Sequence, residues 1–416
     1  MRDVIVIGAG PAGLAGAIAC AGYGLKVTVV DEFLKPGGRL LGQLHEEPSG
    51  KWWNGIKESH RLHREAENLM VEIRCGASVY NLEKNDDMWN VHTSMGTLEA
   101  PYVLVATGAA EYPIPIPGWT LPGVMSIGAA QVMTNVHRVQ VGKKGIIIGA
   151  NILAFAILNE LQIAGIHVDR VVLPEKNELS QKAGEPEEVM KSLLGAAHLA
   201  PSPLLRAGSR LMKNGNLRRI GLNFYPKKGM NVNGTSLQLR KAALEILGND
   251  KVEGVRIADI DSSGNIVPGS DSIYDADFVC IAGGLYPLAE LVAVAGCPFE
   301  YVPELGGHVP LHSDKMETPL PGLFVAGNIT GIESGKIAIA QGTTAGYSIV
   351  LQANGRKESP GVNQMLQDAI QNVKTVRNQA SIQFNPDIKR GREKMSQLWE
   401  EKYPETYRAN TQKTTG

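Results

Sequence analysis

The chain has 416 residues, enough for two or three domains at roughly 150 residues each. Lys plus Arg is 41 and Asp plus Glu is 42, a net charge of −1, which gives no electrostatic ground for nucleic-acid binding. No run approaches the roughly 18 apolar residues of a membrane span. The four cysteines, Cys20, Cys75, Cys280 and Cys297, form no C-x-x-C pair, which argues against a redox dithiol or a metal site made by this chain alone.

Met1-Arg2-Asp3 runs straight into the first apolar segment, so no secretory leader is expected. Reduced, buried thiols then suit a cytoplasmic protein. Residues 4–7 are short, apolar and β-branched, as a buried strand should be. Gly8-Ala9-Gly10-Pro11-Ala12-Gly13 follows as a G-x-G-x-x-G turn, and residues 14–24 read as a helix of small residues. A second strand at 27–30 ends in Asp31-Glu32. Strand, glycines, helix, strand and acid coincide in one βαβ unit, which is the context that gives the motif its meaning. Gly8 permits the tight turn, Gly10 the approach of a pyrophosphate, and Gly13 the packing of helix on strand. The helix N-terminus that follows Pro11 and Ala12 offers N–H groups to phosphate. A carboxylate about 20 residues on accepts from ribose hydroxyls. Asp31 has the better register and Glu32 is the alternative.

Short runs separated by polar turns between 71 and 106 predict a small meander and a further buried strand. Pro113, Pro115, Pro117 and Pro122 make 111–123 an extended connection. A second βαβ pattern begins at Gly145, with strands at 146–148 and 167–173 and a helix at 152–164. Its turn, Gly149-Ala150-Asn151-Ile152-Leu153-Ala154, keeps only the first glycine, and its second strand ends in Pro174-Glu175-Lys176 with no arginine pair for a 2′-phosphate. A Rossmann-like domain kept for shape or docking is the preferred reading there. Helical stretches are expected at 187–199 and 203–213, buried strands at 278–282 and 322–326, a helix at 335–352, and a polar helical tail at 362–380 and 391–402 that ends in a disordered 410–416.

Pro36-Gly37-Gly38-Arg39, Ala106-Thr107-Gly108 and Gly322-Leu323-Phe324-Val325-Ala326-Gly327-Asn328 come in an order that resembles the flavoproteins with two dinucleotide domains, such as thioredoxin and glutathione reductase. In that family the last motif ends Gly-Asp and the Asp holds the ribityl chain; this chain has Asn328. A closer resemblance lies in Ala106-Thr107-Gly108-Ala109-Ala110-Glu111, in Pro117-Gly118-Trp119-Thr120-Leu121-Pro122-Gly123-Val124 and in the run from Asp277 to Leu288. These look like the α-type subunits of multi-subunit amine dehydrogenases: dye-linked L-proline dehydrogenase, opine oxidase, cyanide synthase and heterotetrameric sarcosine oxidase. The resemblance covers about residues 1–350.

It implies an α/β fold of two Rossmann-like domains, glutathione-reductase-like, the second inserted in the first, with a short helical C-terminal tail. The FAD-binding domain would be 1–115 plus 275–355, the second NAD(P)-type domain 116–274, and the tail 356–416. FAD is the implied cofactor, with NAD or ATP as an alternative or second nucleotide. The implied contacts are Gly8, Gly10, Pro11, Ala12, Gly13, Asp31 or Glu32, Gly38, Arg39, Val79, Ala106, Thr107, Gly108, Gly327, Asn328, Lys336 and Ile337. Lys336 would open the helix that faces the flavin, where a cation favours the reduced anion. The implied partner is a β-type flavoprotein subunit, with a small-molecule amine as substrate. Several relatives carry a C-terminal cysteine cluster for an iron–sulfur centre; no cysteine follows Cys297 here, so electrons would leave through a partner or pass directly to an acceptor. No metal is expected and no catalytic acid or base is named. Two other readings stay open: a stand-alone NAD(P)H-dependent flavin reductase acting on a quinone, ferredoxin or oxygen, and a nucleotide-bound structural subunit. His308 and His312 are candidates for an acid or base beside the flavin, and Trp52-Trp53 and the tail for contact surfaces.

Overall fold

A computed structural model of the chain describes residues 2–47, 50–195, 215–226, 228–354, 360–380 and 383–403. The expected helix at 203–213 and the tail end at 410–416 lie outside the described residues. In chain order the elements that matter here are β1 (Val4–Ile7), α1 (Pro11–Ala21), β2 (Val27–Asp31), α2 (Gly55–Asn68), β3 (Glu72–Cys75), β4 (Val79–Asn85), β5 (Met88–Thr93), β6 (Gly96–Ala100) and β7 (Tyr102–Val105). They continue with β8 (Val124–Ser126), α3 (Ile127–Asn135), β9 (Lys144–Ile148), α4 (Ile152–Ile163), β10 (His167–Pro174), β11 (Thr235–Leu247), β12 (Gly254–Asp259), β13 (Ser272–Asp275) and β14 (Phe278–Ile281). Last come β15 (Leu323–Val325), α5 (Gly335–Ala353), α6 (Pro360–Gln379) and α7 (Ile388–Lys402).

The described chain divides into two compact units. The first holds residues 1–41, 54–110 and 285–416; the second holds 42–53 and 111–284. The first is built on a parallel sheet in the order β15-β7-β1-β2-β3. Its strands are short and mostly apolar because both faces are covered. Ile7, Val105 and Val325 lie side by side in register, so Gly8, Ala106 and Ala326 leave the sheet at one edge. β4, β5 and β6 form the antiparallel meander expected from the sequence, with Trp89 and Val91 buried on its inner face. On the outer side α1 and α5 run against each other through Gly16, Gly342 and Gly346. A Cβ on Gly342 would lie 2.0 Å from the carbonyl oxygen of Ala12, so only glycine permits this approach. The two tail helices belong to the same unit. Ile388, Met395 and Trp399 of α7 share a small core with Val302, Leu305, Val309 and Leu311.

The second unit follows the order β8-β14-β9-β10-β11-β12-β13, parallel as far as β11 and antiparallel beyond it. Its core joins Ile147, Ile157, Leu158, Leu161, Val171 and Phe278. In sequence the antiparallel extension reads only as mixed structure. β11 alternates two-sided burial with half-exposed positions, so no single period marks it.

Residues 42–53 are tied to the second unit by one carboxylate. Glu160, on α4, is 4% exposed. Its Oε1 accepts the Leu44 N–H at 3.0 Å, and its Oε2 accepts Gln131 Nε2 at 2.7 Å and Asn135 Nδ2 at 2.8 Å. Asn135 Nδ2 also donates to the Gly42 carbonyl at 2.6 Å. Burial pushes the Glu160 carboxyl up to about 7, against the three hydrogen bonds that lower it. A carboxyl whose folded value lies above its unfolded one stabilises the fold in acid, and the contribution fades as pH rises to about 7. A shift of this size is worth about 3 kcal/mol. Melting curves of wild type and Glu160→Gln at pH 5 and pH 8 should therefore show the wild type losing stability relative to the variant as pH rises; a pH-independent gap would contradict this.

Candidate functional site

At the edge where β1, β7 and β15 end, Gly8 turns the chain with φ of +102°, and a Cβ there would lie 2.5 Å from the Ala106 carbonyl oxygen. A Cβ on Gly13 would lie 1.8 Å from the Gly8 carbonyl oxygen. These two glycines are demanded by backbone contacts within the protein itself. Gly10 is different: no protein atom lies within 4 Å of the place its Cβ would take. It is the N-cap of α1, no side chain caps that helix, Pro11 occupies the first turn and no acidic residue does. Open space beside Gly10 and a first turn with neither a side-chain cap nor an acid are the local chemistry of an anion cradle.

The other predicted residues gather round this turn. Gly37 donates its N–H to the Ala9 carbonyl at 2.7 Å, and a Cβ on Gly38 would lie 3.0 Å from Gly10 Cα. Arg39 donates from Nη2 to the Ala109 carbonyl at 3.0 Å. Thr107 Oγ1 donates to the Leu288 carbonyl, and the Gly108 carbonyl accepts the Leu288 N–H. Asp31 does not point a free carboxylate outward. Its Oδ2 accepts the Ala9 N–H at 2.5 Å and its Oδ1 the Phe33 N–H at 2.7 Å. Burial raises the Asp31 carboxyl above its usual range despite both bonds. The carboxylate turned to solvent at this strand end is Glu32. Val79 opens β4, two residues beyond Ala77, whose N–H bonds the Asp31 carbonyl.

Gly327 closes on α1 from the other side; a Cβ there would lie 2.9 Å from Ala12 Cβ. Its N–H donates to Gln341 Oε1 at 3.0 Å. Gln341 is 1% exposed, and its Nε2 is buried with no hydrogen-bond partner among the described residues. Nothing in the sequence singles out this amide except its place in a helix face of small residues. Asn328 Oδ1 accepts the Glu333 N–H at 3.1 Å, which turns its Nδ2 donor the other way. Gly342, packed on Ala12, lies two turns into α5, so at 1.5 Å per residue the helix begins about 10 Å beyond the glycine turn. Exposed Lys336 and buried Ile337 stand in that first turn. His312 is not available there. Its Nδ1–H donates to the Pro310 carbonyl at 2.7 Å, and burial with the neighbouring Arg392 pushes the imidazole down to about 3.

The second turn copies the first in backbone and differs in chemistry. Gly149 has φ of +108°, and its Cβ would lie 2.2 Å from the Ala282 carbonyl oxygen, as Gly8 stands to Ala106. Asn151 then takes the place of Gly10. Its Oδ1 accepts the Ala154 N–H and its Nδ2 donates to the Ala282 carbonyl, both at 2.9 Å. The helix end that should receive phosphate is capped by its own side chain. The depression of about 500 Å³ beyond β10 is lined by Glu175, Glu178 and Glu185 against the single cation Lys176, a poor setting for an added phosphate. The thiols take no part in either turn: Cys20, Cys280 and Cys297 are buried, burial holds all three well above the usual thiol range, and Cys75 is half-buried.

The two glycines make a paired test. Gly13→Ala should cost at least about 2 kcal/mol, because a rigid carbonyl must move. Gly10→Ala should change stability by no more than about 1 kcal/mol, the loss of a tolerable N-cap. It should nevertheless strip bound nucleotide. Melting temperature and nucleotide content after gel filtration separate the two effects. An unaffected nucleotide content in Gly10→Ala would contradict the cradle.

The chain is 28% identical over 369 residues to the A subunit of opine oxidase from Agrobacterium tumefaciens (strain Ach5), covering 82% of this chain and 64% of that protein. It thus spans less than two thirds of that relative. It is 31% identical over 183 residues to the alpha subunit of sarcosine oxidase from Rhizobium meliloti (strain 1021), covering 41% of this chain and 18% of that one. Among solved structures, L-proline dehydrogenase from P. horikoshii shares the fold with a TM-score of 0.61 at 19% identity, over 88% of this chain and 58% of that one. The family model for pyridine nucleotide-disulphide oxidoreductases matches residues 2–342, and the chain belongs to that family.

Proposed function

We propose that the chain is the α-type electron-transfer subunit of an amine or amino-acid dehydrogenase complex, docked on a β-type flavoprotein that oxidises the amine. The family to which it belongs is one of FAD-binding oxidoreductases with a second site for NAD(P). Bound FAD supplies electron acceptance and release. The residues of the first turn fit it. An open helix end takes the pyrophosphate, Glu32 takes the ribose hydroxyls, and Asp31 holds the turn from behind. Gln341 Nε2 and Asn328 Nδ2 are donors for oxygens further along. Asn328 replaces the usual acid with a neutral donor, which suits a ribityl hydroxyl or a phosphate oxygen equally.

The observation that carries the reading is the contrast between Gly10 and Asn151: one helix end is open and the other capped by its own side chain. A second helix end already capped by its own side chain is a poor seat for NAD(P)H, which favours electrons supplied from elsewhere. The names of the relatives point to subunits of oxidases, which supports a partner as the source. Among the described residues no helix is long and apolar enough to cross a membrane.

The purified chain should show a flavin band near roughly 450 nm, a property of the cofactor. Anaerobic NADH or NADPH should leave that band in place. Bleaching by either would overturn the partner-fed reading in favour of a stand-alone reductase. A colourless chain that releases ATP or NAD on denaturation would overturn FAD.

A further inference from the structure

Outside the predicted site the most unusual cluster is a buried group of charges beneath the turn that carries Asn328. Glu333 is 6% exposed. Its Oε1 accepts Arg377 Nε at 2.5 Å, and its Oε2 accepts Arg377 Nη2 at 3.1 Å and Arg392 Nη2 at 2.5 Å. Arg377 comes from α6 and Arg392 from α7, so one carboxylate holds both tail helices. Arg392 also donates from Nη1 to the Thr330 carbonyl at 2.7 Å and to Thr330 Oγ1 at 3.2 Å, and from Nη2 to the Gly331 carbonyl at 3.4 Å. Its other neighbour is neutral His312, whose Nε2 lies 3.4 Å from Nη1.

This grip reaches Asn328 in one step. The backbone N–H of Glu333 is the donor that fixes Asn328 Oδ1. Thr330 Oγ1 donates to the Gly327 carbonyl at 2.8 Å, so the residue Arg392 holds is bonded to the glycine that abuts α1. Ser334, next to Glu333, is the N-cap of α5. The loop 328–334 therefore has its shape set by two guanidiniums, and Gly327 just before it abuts Ala12 of α1. Burial alone would raise the Glu333 carboxyl; the two arginines outweigh it and hold it below the usual carboxylate range. Two cations against one anion leave a net positive charge that is largely buried, the Arg377 and Arg392 side chains being 17% and 12% exposed. An arrangement so costly to desolvate is out of proportion to the task of anchoring two surface helices.

We propose that Glu333 is a positioning residue for the cofactor: held by Arg377 and Arg392 from the two C-terminal helices, it locks loop 328–334 so that Asn328 presents Nδ2 as a donor to the far half of FAD. The tail thus acts as a clamp on the cofactor site and does not merely cover a surface. The proposal rests on FAD in the first site, so its test has one arm that needs no cofactor.

The full chain is prepared as wild type, Glu333→Gln and Arg377→Lys. Glu333→Gln keeps volume and removes the charge that both arginines share. It should bind FAD at least about tenfold more weakly, the usual cost of a lost charge-assisted hydrogen bond, and shift the visible band of whatever flavin remains. Arg377→Lys keeps the charge and should retain most of the binding. Hydrogen exchange, read on peptides without added FAD, should quicken over residues 327–338 in Glu333→Gln and stay unchanged over β1 and α1. Wild-type affinity and band position in Glu333→Gln, or quiet exchange in its 327–338 peptides, overturn the clamp. If wild type itself takes up no flavin, FAD in the first site fails, and the exchange result alone decides whether the clamp on the loop stands.

Discussion

The backbone contact between α1 and α5 governs the first unit. Gly342 lies against the Ala12 carbonyl, and Gly346 against Gly16, closer than any side chain would allow. Because the helices touch without intervening side chains, the start of α5 is fixed about 10 Å beyond the glycine turn. Gly327 fits against Ala12 only in this arrangement, and the turn that follows it can then reach under α5. Separation of the helices by one methyl group would disturb the cradle, the Gln341 amide and the Asn328 turn together.

Much of this was legible in the residues. The first βαβ unit declares itself because strand, glycines, helix and acid must all coincide for the backbone to close as it does. The meander from β4 to β6 follows from short runs separated by polar turns, and the proline-rich stretch after Glu111 from missing N–H groups. The order of the two acids was not legible. Asp31 and Glu32 are adjacent, and only the fold shows Asp31 committed to the Ala9 and Phe33 N–H groups. Gln341, Glu333, Arg377 and Arg392 gave no local signal either. Each looks like an ordinary polar residue of a helix or loop, and the partners of Glu333 lie 44 and 59 residues away. Chemistry assembled across such separations carries no period or motif.

The paired turns show how one backbone can be kept while its chemistry is changed. Gly8 and Gly149 are held by the same kind of contact with a carbonyl from the neighbouring strand. Two residues later, glycine leaves a helix end open and asparagine closes it. An erosion that looks severe in the motif therefore costs the second unit nothing in packing, since the capped helix gains a hydrogen bond that the open one lacks. Stability and ligand binding pull in opposite directions at this position, and the two halves of the chain have settled it differently.

The distribution of thiols makes the molecule convenient to watch. Cys20, Cys280 and Cys297 are sealed in the cores and held protonated, so alkylating reagents pass them by. Cys75 differs in exposure, half-buried at the end of β3 and in register with Asp31, although burial and that carboxylate raise its thiol too. A fluorophore attached there would sit beside the strand end that bears Glu32, with no engineered cysteine required. Its emission would follow the arrival of an adenine nucleotide in the native chain.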